Sequence, residues 1–114
     1  MENCKVMHMP GKYSRNKGKT GEREFTKLLK QYGFNAQRGV QYKGTPDSPD
    51  VTGIPGFHIE VKRTERLHLY DALKQSISES NENEIPIVAH RKNREEWIVI
   101  LRATDFLKMV RKDG

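Results

Sequence analysis

Hydrophobic and polar residues recur along this chain with two different periods, and each change of period marks a predicted element. Apolar residues show the three-and-four spacing of one helix face at Phe25, Leu28, Leu29 and Tyr32. The helix is predicted to begin near Thr20, a suitable N-cap, and to end before Gly33. Residues 34–40, which follow, are predicted to form a short strand.

The segment FHIEVKR, residues 57–63, alternates apolar and polar residues, as a strand with one buried face does. A shorter strand is predicted over residues 50–53. The intervening Ile-Pro-Gly, residues 54–56, is typical of a tight turn, so the two strands are predicted to pair as a hairpin.

The second half of the chain predicts another helix, two strands and a last helix. The first of these covers residues 68–82. Its predicted core stripe is Leu69, Tyr70, Leu73 and Ile77. Strands are predicted in IPIVAH, which Pro86 opens, and in WIVIL, which is apolar enough to be buried and makes Trp97 a core residue. The last helix runs from Thr104 to Val110. The order α-β-β-β-α-β-β-α predicts an α/β domain with a central mixed sheet flanked by helices.

Composition places the chain among small basic domains. With 114 residues, 34% hydrophobic and 32% charged, it is long enough for one domain with a modest core. The net charge of +6 favours binding to a polyanion such as the phosphate backbone of nucleic acid. The alternative is that the positive charge only keeps the surface soluble. Residues 1–19 are basic and poor in apolar anchors. We expect a flexible arm there, a single domain over residues 20–114, and a polar loop at residues 41–49.

Cysteine usage and hydropathy indicate the compartment. The single cysteine, Cys4, excludes an internal disulfide and fits a reducing environment. The first ten residues lack an apolar stretch of signal-peptide length, and no segment is long and apolar enough to span a bilayer. We expect a soluble, cytoplasmic protein with no membrane partner, in the host cytoplasm if the chain is viral.

Two acids and a lysine gather in the predicted hairpin. Glu60 and Lys62 are two residues apart in a strand, so their side chains point to the same face. If Asp50 lies across from Glu60, two carboxylates converge beside an ammonium group. Carboxylates this close repel unless a cation lies between them, and Mg2+ is the usual choice. This predicts metal-assisted phosphodiester hydrolysis with Lys62 orienting the water. An ordinary solvated strand face is the alternative.

The sequence TPDSPD offers two aspartates for the hairpin. Asp47 is followed by Ser48 and Pro49, which leaves it in the loop as a cap or a surface charge. Asp50 is followed by Val51, where a strand can start. We therefore prefer Asp50.

The first helix offers a further acid. On a helical wheel Glu22 lies about 60° from Phe25, at the edge of the stripe that packs on the sheet. An inward glutamate needs a partner, which a metal site would supply, but a first-turn acid that complements the helix N-terminus explains Glu22 equally well. Glu24 points away on the other side and is expected to be solvated.

The motif Pro49-Asp50…Glu60-Val61-Lys62 is similar to the signature of the PD-(D/E)xK nucleases. Residues 17–64, KGKTGEREFTKLLKQYGFNAQRG…SPDVTG…FHIEVKRT, resemble archaeal-type Holliday junction resolvases and their phage relatives. The resemblance implies a restriction-endonuclease-like core. It also implies a site of Glu22, Asp50, Glu60 and Lys62, in which the three acids and the main-chain carbonyl of Val61 bind the metal.

The function implied by the resemblance is Mg2+-dependent cleavage of four-way DNA junctions, with Mn2+ expected to substitute. Because a junction needs two symmetric cuts and the chain offers one site, we expect a homodimer. The apolar side of the second helix and the last strand are both candidates for its interface. A flap, branch or sequence-specific nuclease and a DNA-binding module without activity are the alternatives.

Basic residues that flank the proposed site are expected to contact the DNA backbone, which positions a substrate without reading its sequence. They are Arg15, Lys17, Lys19, Arg38, Lys43, Arg63 and Arg66. His58 shares the face of Glu60 and is a candidate for a phosphate contact. Gln75 could face the site, but it lies off the core stripe of its helix, so a solvated glutamine is the preferred interpretation. The histidines and the cysteine show no zinc spacing.

Overall fold

A computed structural model of the protein describes residues 12–39 and 49–111, with only the helical backbone described for residues 12–17. The described residues form three helices: α1 (Lys12–Gln31), α2 (Leu69–Glu79) and α3 (Ala103–Arg111). They also form five strands: β1 (Gln37–Arg38), β2 (Val51–Thr52), β3 (Phe57–Arg63), β4 (Ile85–Arg91) and β5 (Ile98–Ile100). The order of elements is the predicted one.

The five strands make one mixed sheet in the order β1-β2-β3-β4-β5. Strands β3 and β4 are parallel, in register from Phe57 opposite Ile85 to Arg63 opposite Arg91. The other neighbouring strands are antiparallel, including the predicted hairpin of β2 and β3. A parallel pair needs a crossover connection, and α2 supplies it. The predicted α/β fold with a mixed sheet flanked by helices is confirmed.

The sheet carries a hydrophobic cluster on each face. The larger cluster joins α1 to one face and consists of Phe25, Leu29, Ala36, Val51, Ile59, Val61, Ile87 and Ala89. The smaller cluster joins α2 to the other face through Ala72, Leu73 and Val88. Because successive side chains of a strand point to opposite faces, His58, Glu60 and Lys62 of β3 fall on the side of α2.

Helix α1 begins at Lys12, well before the predicted start, so Thr20 lies inside the helix and is not its N-cap. Residues 12–19 of the expected arm are therefore helical, and residues 1–11 lie outside the described part of the chain. The apolar pattern locates only the portion of a helix that packs against something. The polar first turns of α1 carry no such pattern, which is why the predicted start was wrong.

Helix α2 is shorter than predicted, and of its predicted core stripe only Leu73 and Ile77 pack against the sheet. Its buried residues are Ala72, Leu73 and Ser76. Leu69 and Tyr70, which were assigned to the core stripe, are 38% and 76% exposed. Ser76 Oγ donates to the carbonyls of Ile87 at 3.0 Å and His58 at 3.4 Å, so a small polar residue holds α2 against both parallel strands.

Strand β5 lies at the edge of the sheet and is more exposed than predicted. Ile98 and Val99 are 53% and 48% exposed, so the expectation of a buried WIVIL strand was wrong. Trp97 does pack against the larger cluster, with its ring 5.1 Å from that of Phe25. At the other edge, β1 covers only two residues of the strand predicted over 34–40.

Most of the predicted loop, with Lys43 and Asp47, lies outside the described residues. No helix of the described part of the chain is long and apolar enough to cross a membrane.

Candidate active site

The hairpin brings Asp50 and Glu60 together. Val51 of β2 pairs with Ile59 of β3, so Asp50, one residue earlier, lies opposite Glu60, one residue later. The amide of Asp50 donates to the carbonyl of Ile59 at 2.9 Å, and Asp50 Oδ2 accepts from the amide of Val61 at 2.8 Å. These bonds fix the carboxylate of Asp50 against the backbone of β3.

A glycine lets β2 approach the strand beside it. Gly53 has a φ of +126°, and a Cβ atom there would lie 2.5 Å from the Cα of Ala36. A larger residue would meet backbone at a distance that real Cβ atoms avoid, in a conformation that L side chains disfavour. Gly53 therefore helps to define where β2, and with it Asp50, lies.

The carboxylates of the hairpin share a poorly solvated space. Glu60 is only 3% exposed. Burial, together with the neighbouring carboxylates of Glu79 and Asp50, raises the pKa of Glu60 to about 10. Burial also raises the pKa of Asp50, against the opposing effect of the Val61 amide. Buried acids of this kind are strongly favourable places for a cation.

His58 supports Glu60 from inside the protein. The imidazole is 1% exposed, and its Nε2 lies 2.9 Å from Glu60 Oε2 in a buried hydrogen bond. Two further acids flank the ring, with Glu79 Oε1 at 3.8 Å from Nε2 and Glu84 Oε1 at 3.7 Å from Nδ1. His58 therefore positions a carboxylate, and its burial removes it from the candidates for a phosphate contact.

Lys62 is oriented by α2. Its Nζ donates to Gln75 Oε1 at 3.2 Å, and Gln75 Nε2 donates to Glu79 Oε2 at 3.3 Å. Gln75 is exposed, as expected, but its amide is engaged on both sides. Sequence spacing gave no signal for Glu79, because only the crossover between β3 and β4 brings the end of α2 to the hairpin.

The two glutamates of α1 have different partners. Glu22 Oε1 accepts from Arg38 Nε at 3.1 Å, while burial and the charge of Asp50 raise the pKa of Glu22. Glu24 was expected to be solvated, and this expectation was wrong. Its Oε1 accepts from Arg63 Nε at 3.2 Å and from Arg91 Nη1 at 3.0 Å, so it links α1 to β3 and β4.

Two overlapping sets of residues could hold a metal. The first is the expected set, in which Asp50 and Glu60 meet across the hairpin near Glu22. The second comprises His58, Glu60 and Glu79, which each offer a ligand atom within 4.8 Å of the others. Because His58 Nε2 is already bonded to Glu60, we assign that nitrogen to holding Glu60. The oxygen donors on the side of Asp50 suit a hard divalent cation.

The basic residues expected to contact DNA have unlike environments. Lys19 and Arg66 are exposed. Arg38 is bonded to Glu22, and the side chain of Arg63 is 11% exposed and bonded to Glu24. The side chains of Arg15 and Lys17, and all of Lys43, lie outside the described part of the structure.

A hairpin that carries Asp50 opposite Glu60, with Lys62 beside them on a mixed sheet flanked by helices, defines a nuclease of the PD-(D/E)xK superfamily. The sequence profile of the family described as archaeal Holliday junction resolvase (Hjc) matches residues 13–110. Since this match covers most of the chain, the protein belongs to the archaeal Holliday junction resolvase family, a family of divalent-metal-dependent nucleases that act on four-way DNA junctions.

A solved structure gives the same result. The chain is similar to Hjc of Archaeoglobus fulgidus, a Holliday junction resolvase from an archaeal hyperthermophile, at 26% identity and a TM-score of 0.59. The similarity covers 74% of this chain and 76% of that one. Comparison with curated protein sequences gives no significant match.

Proposed function

We propose that this resolvase uses Mg2+ and cleaves four-way DNA junctions with Glu22, Asp50, Glu60 and Lys62. The observation that carries the proposal is the register of the hairpin, which sets Asp50 opposite Glu60. The raised pKa values of both acids support it, because a bound cation would offset the burial and repulsion that raise them.

The metal would be held by Asp50, Glu60 and the carbonyl of Val61, with Glu22 as a direct or water-mediated ligand. The amide of Val61 faces Asp50, and in a strand the carbonyl of a residue points to the same side as its amide. When bound, the cation supplies charge stabilisation at the scissile phosphate and lowers the pKa of water.

The remaining steps belong to the side chains of the chain itself. Lys62, which Gln75 holds at 3.2 Å, would orient the attacking water. His58 keeps one oxygen of Glu60 engaged, and the other oxygen would face the metal. Arg38 holds Glu22 at the end of the site. Two such sites are needed to resolve one junction, so we propose a two-fold dimer.

Cleavage of a synthetic four-way junction and of a linear duplex, each with Mg2+ and with Mn2+, tests the proposal. Wild type should make paired symmetric nicks in the junction only. Lys62→Ala should lower the rate roughly 10²- to 10⁴-fold, the range for loss of a side chain positioned at the attacking water. Asp50→Asn should abolish cleavage, whereas Asp71→Asn, an exposed acid on α2, should cleave as wild type does.

Other outcomes would contradict parts of the proposal. Equal cleavage of both substrates would keep the site and remove the junction preference. Cleavage that survives Asp50→Asn would place the chemistry elsewhere. Tight junction binding without cleavage in either metal would make the chain a binding module.

A further inference from the structure

A groove of about 490 Å³ lies between α1 and β1, outside the cluster of acids in the hairpin. It is lined by Arg23, Thr26, Lys27, Lys30, Gln37 and Arg38. Four of these six residues are cationic and none is acidic. The groove is therefore a concave, positively charged surface, and only Arg38 belongs to the DNA contacts expected from sequence.

The cations of α1 in this groove have no partners within the described structure. Arg23, Lys27 and Lys30 make no ion pair or side-chain hydrogen bond with any described residue, and the two lysines are exposed. Other arginines form ion pairs within the fold. Arg63 and Arg91 both pair with Glu24. An unpaired set that lines a groove is thus free to bind an external anion.

Helix geometry aligns these cations into a track. Arg23, Lys27 and Lys30 are four and three residues apart and lie on one helix face. From Arg23 to Lys30 the helix rises about 10 Å, the axial length of about three nucleotides of one DNA strand. Thr26, between them, is 7% exposed, and its Oγ1 has no hydrogen-bond partner among the described residues.

The track begins beside the proposed active site. Arg38 lines the groove and also donates to Glu22 at 3.1 Å, while Gln37 precedes it on β1. A strand whose scissile phosphate lies near Asp50 and Glu60 could follow this wall away from the hairpin. Charges placed in this way would hold the backbone without reading bases.

We propose that this groove, here called the α1 groove, binds the sugar–phosphate backbone of a junction strand next to the cleaved phosphate. The proposal rests on the proposed function, since it takes DNA as the substrate. It assigns Arg23, Lys27 and Lys30 to phosphate binding, and it leaves Arg63 out because that side chain is committed to Glu24.

The test compares two double variants that lose the same charge. Lys27→Gln/Lys30→Gln removes two cations from the α1 groove. Lys92→Gln/Lys108→Gln removes two exposed cations outside the groove, one between β4 and β5 and one on α3. Binding of a fluorescent four-way junction is measured by anisotropy in EDTA over a series of NaCl concentrations. Lys27→Arg/Lys30→Arg keeps the charge and serves as the rescue.

The groove variant should bind more weakly, and its plot of log K against log[NaCl] should be shallower by about 1 to 2, or about one per lost phosphate contact. The control and the arginine variant should keep the wild-type slope. An equal loss of junction affinity in both glutamine variants, or no loss in either, would overturn the proposal that the α1 groove binds DNA. Junction cleavage by wild type reports separately on the proposed function, so the two can fail independently.

Discussion

At the scale of single residues, the polar interior around Glu60 is the unusual feature of this fold. A glutamate that is 3% exposed is tolerated because His58 bonds one of its oxygens, whereas the nearby carboxylates of Asp50 and Glu79 disfavour its negative charge. An isolated charge there would be costly, so without a metal the favourable state of Glu60 carries a proton. This state links the stability of the protein to pH.

The pH dependence of stability follows from the sign of that shift. Because the folded pKa of Glu60 is about 10 and its ordinary value is 4.5, folding retains a proton that the unfolded chain loses. Stability from Glu60 is complete below pH 4.5 and is lost as pH rises towards 10. In EDTA, the melting temperature of wild type should therefore fall between pH 5 and pH 9.

Glu60→Gln should flatten this decline, since the amide does not titrate, while Glu96→Gln, an exposed control, should keep the wild-type profile. Asp50 and Glu22 have pKa values raised in the same direction, so part of the slope should remain. A wild-type profile that is flat, or an unchanged slope in Glu60→Gln, would show that Glu60 is ionised in the folded protein.

At the scale of elements, the approach of α1 to β3 decides where Glu22 lies. A Cβ atom on Gly21 would meet the Cβ of Arg63 at 2.6 Å and Cγ1 of Val61 at 3.4 Å. Only glycine lets the helix come this close to the strand. The next residue is Glu22, so the closeness of this contact positions the acid of the helix relative to the acids of the hairpin.

Two glycines of α1 provide a matched test of this contact. Gly21→Ala should lower the free energy of unfolding by about 1–3 kcal/mol, the range for overpacking, and should reduce cleavage by displacing Glu22. A Cβ atom on Gly18 would meet nothing within 4 Å, so Gly18→Ala should raise the stability by about 0.5–1 kcal/mol through helix propensity. Urea unfolding measures both. Equal effects of the two substitutions would contradict the proposed close contact.

At the scale of the whole molecule, one active site must serve a substrate with two strands to cut. Exposed apolar side chains are concentrated on β5 and α3, at Ile98, Val99, Phe106, Leu107, Met109 and Val110. A second copy related by a two-fold axis would cover such a face and supply the second site. The sequence suggested two candidate interfaces, the apolar side of the second helix and the last strand. The surface of β5 and α3 contains the second of these.

The oligomer is tested by mass and by mixed assemblies. Light scattering should give twice the chain mass of 13.2 kDa for wild type and for Lys108→Gln, but a monomer for Leu107→Asp. Wild type mixed with excess Asp50→Asn should produce single nicks in place of paired ones, because a mixed dimer holds one working site. Paired nicks at the wild-type rate from a monomeric protein would exclude the dimer.

The sequence by itself determined the order of elements and placed Asp50 and Glu60 in one predicted hairpin. Alternation in residues 57–63 and the turn at 54–56 predicted the hairpin, and in a hairpin the register of two strands follows from local backbone geometry. From the sequence, the facing of Asp50 and Glu60 was a condition, and the register of β2 and β3 meets it. Family membership was readable, since the helix glutamate and the hairpin motif are linear patterns.

Only the tertiary structure decided which partners complete the site. Glu79 reaches His58 because α2 crosses between two parallel strands, and Glu24 meets Arg63 and Arg91 across the packing of α1 on the sheet. Such contacts join residues far apart in sequence and leave no period or spacing to read. The same holds for the α1 groove, because a cation's role depends on whether the fold supplies it with an acid.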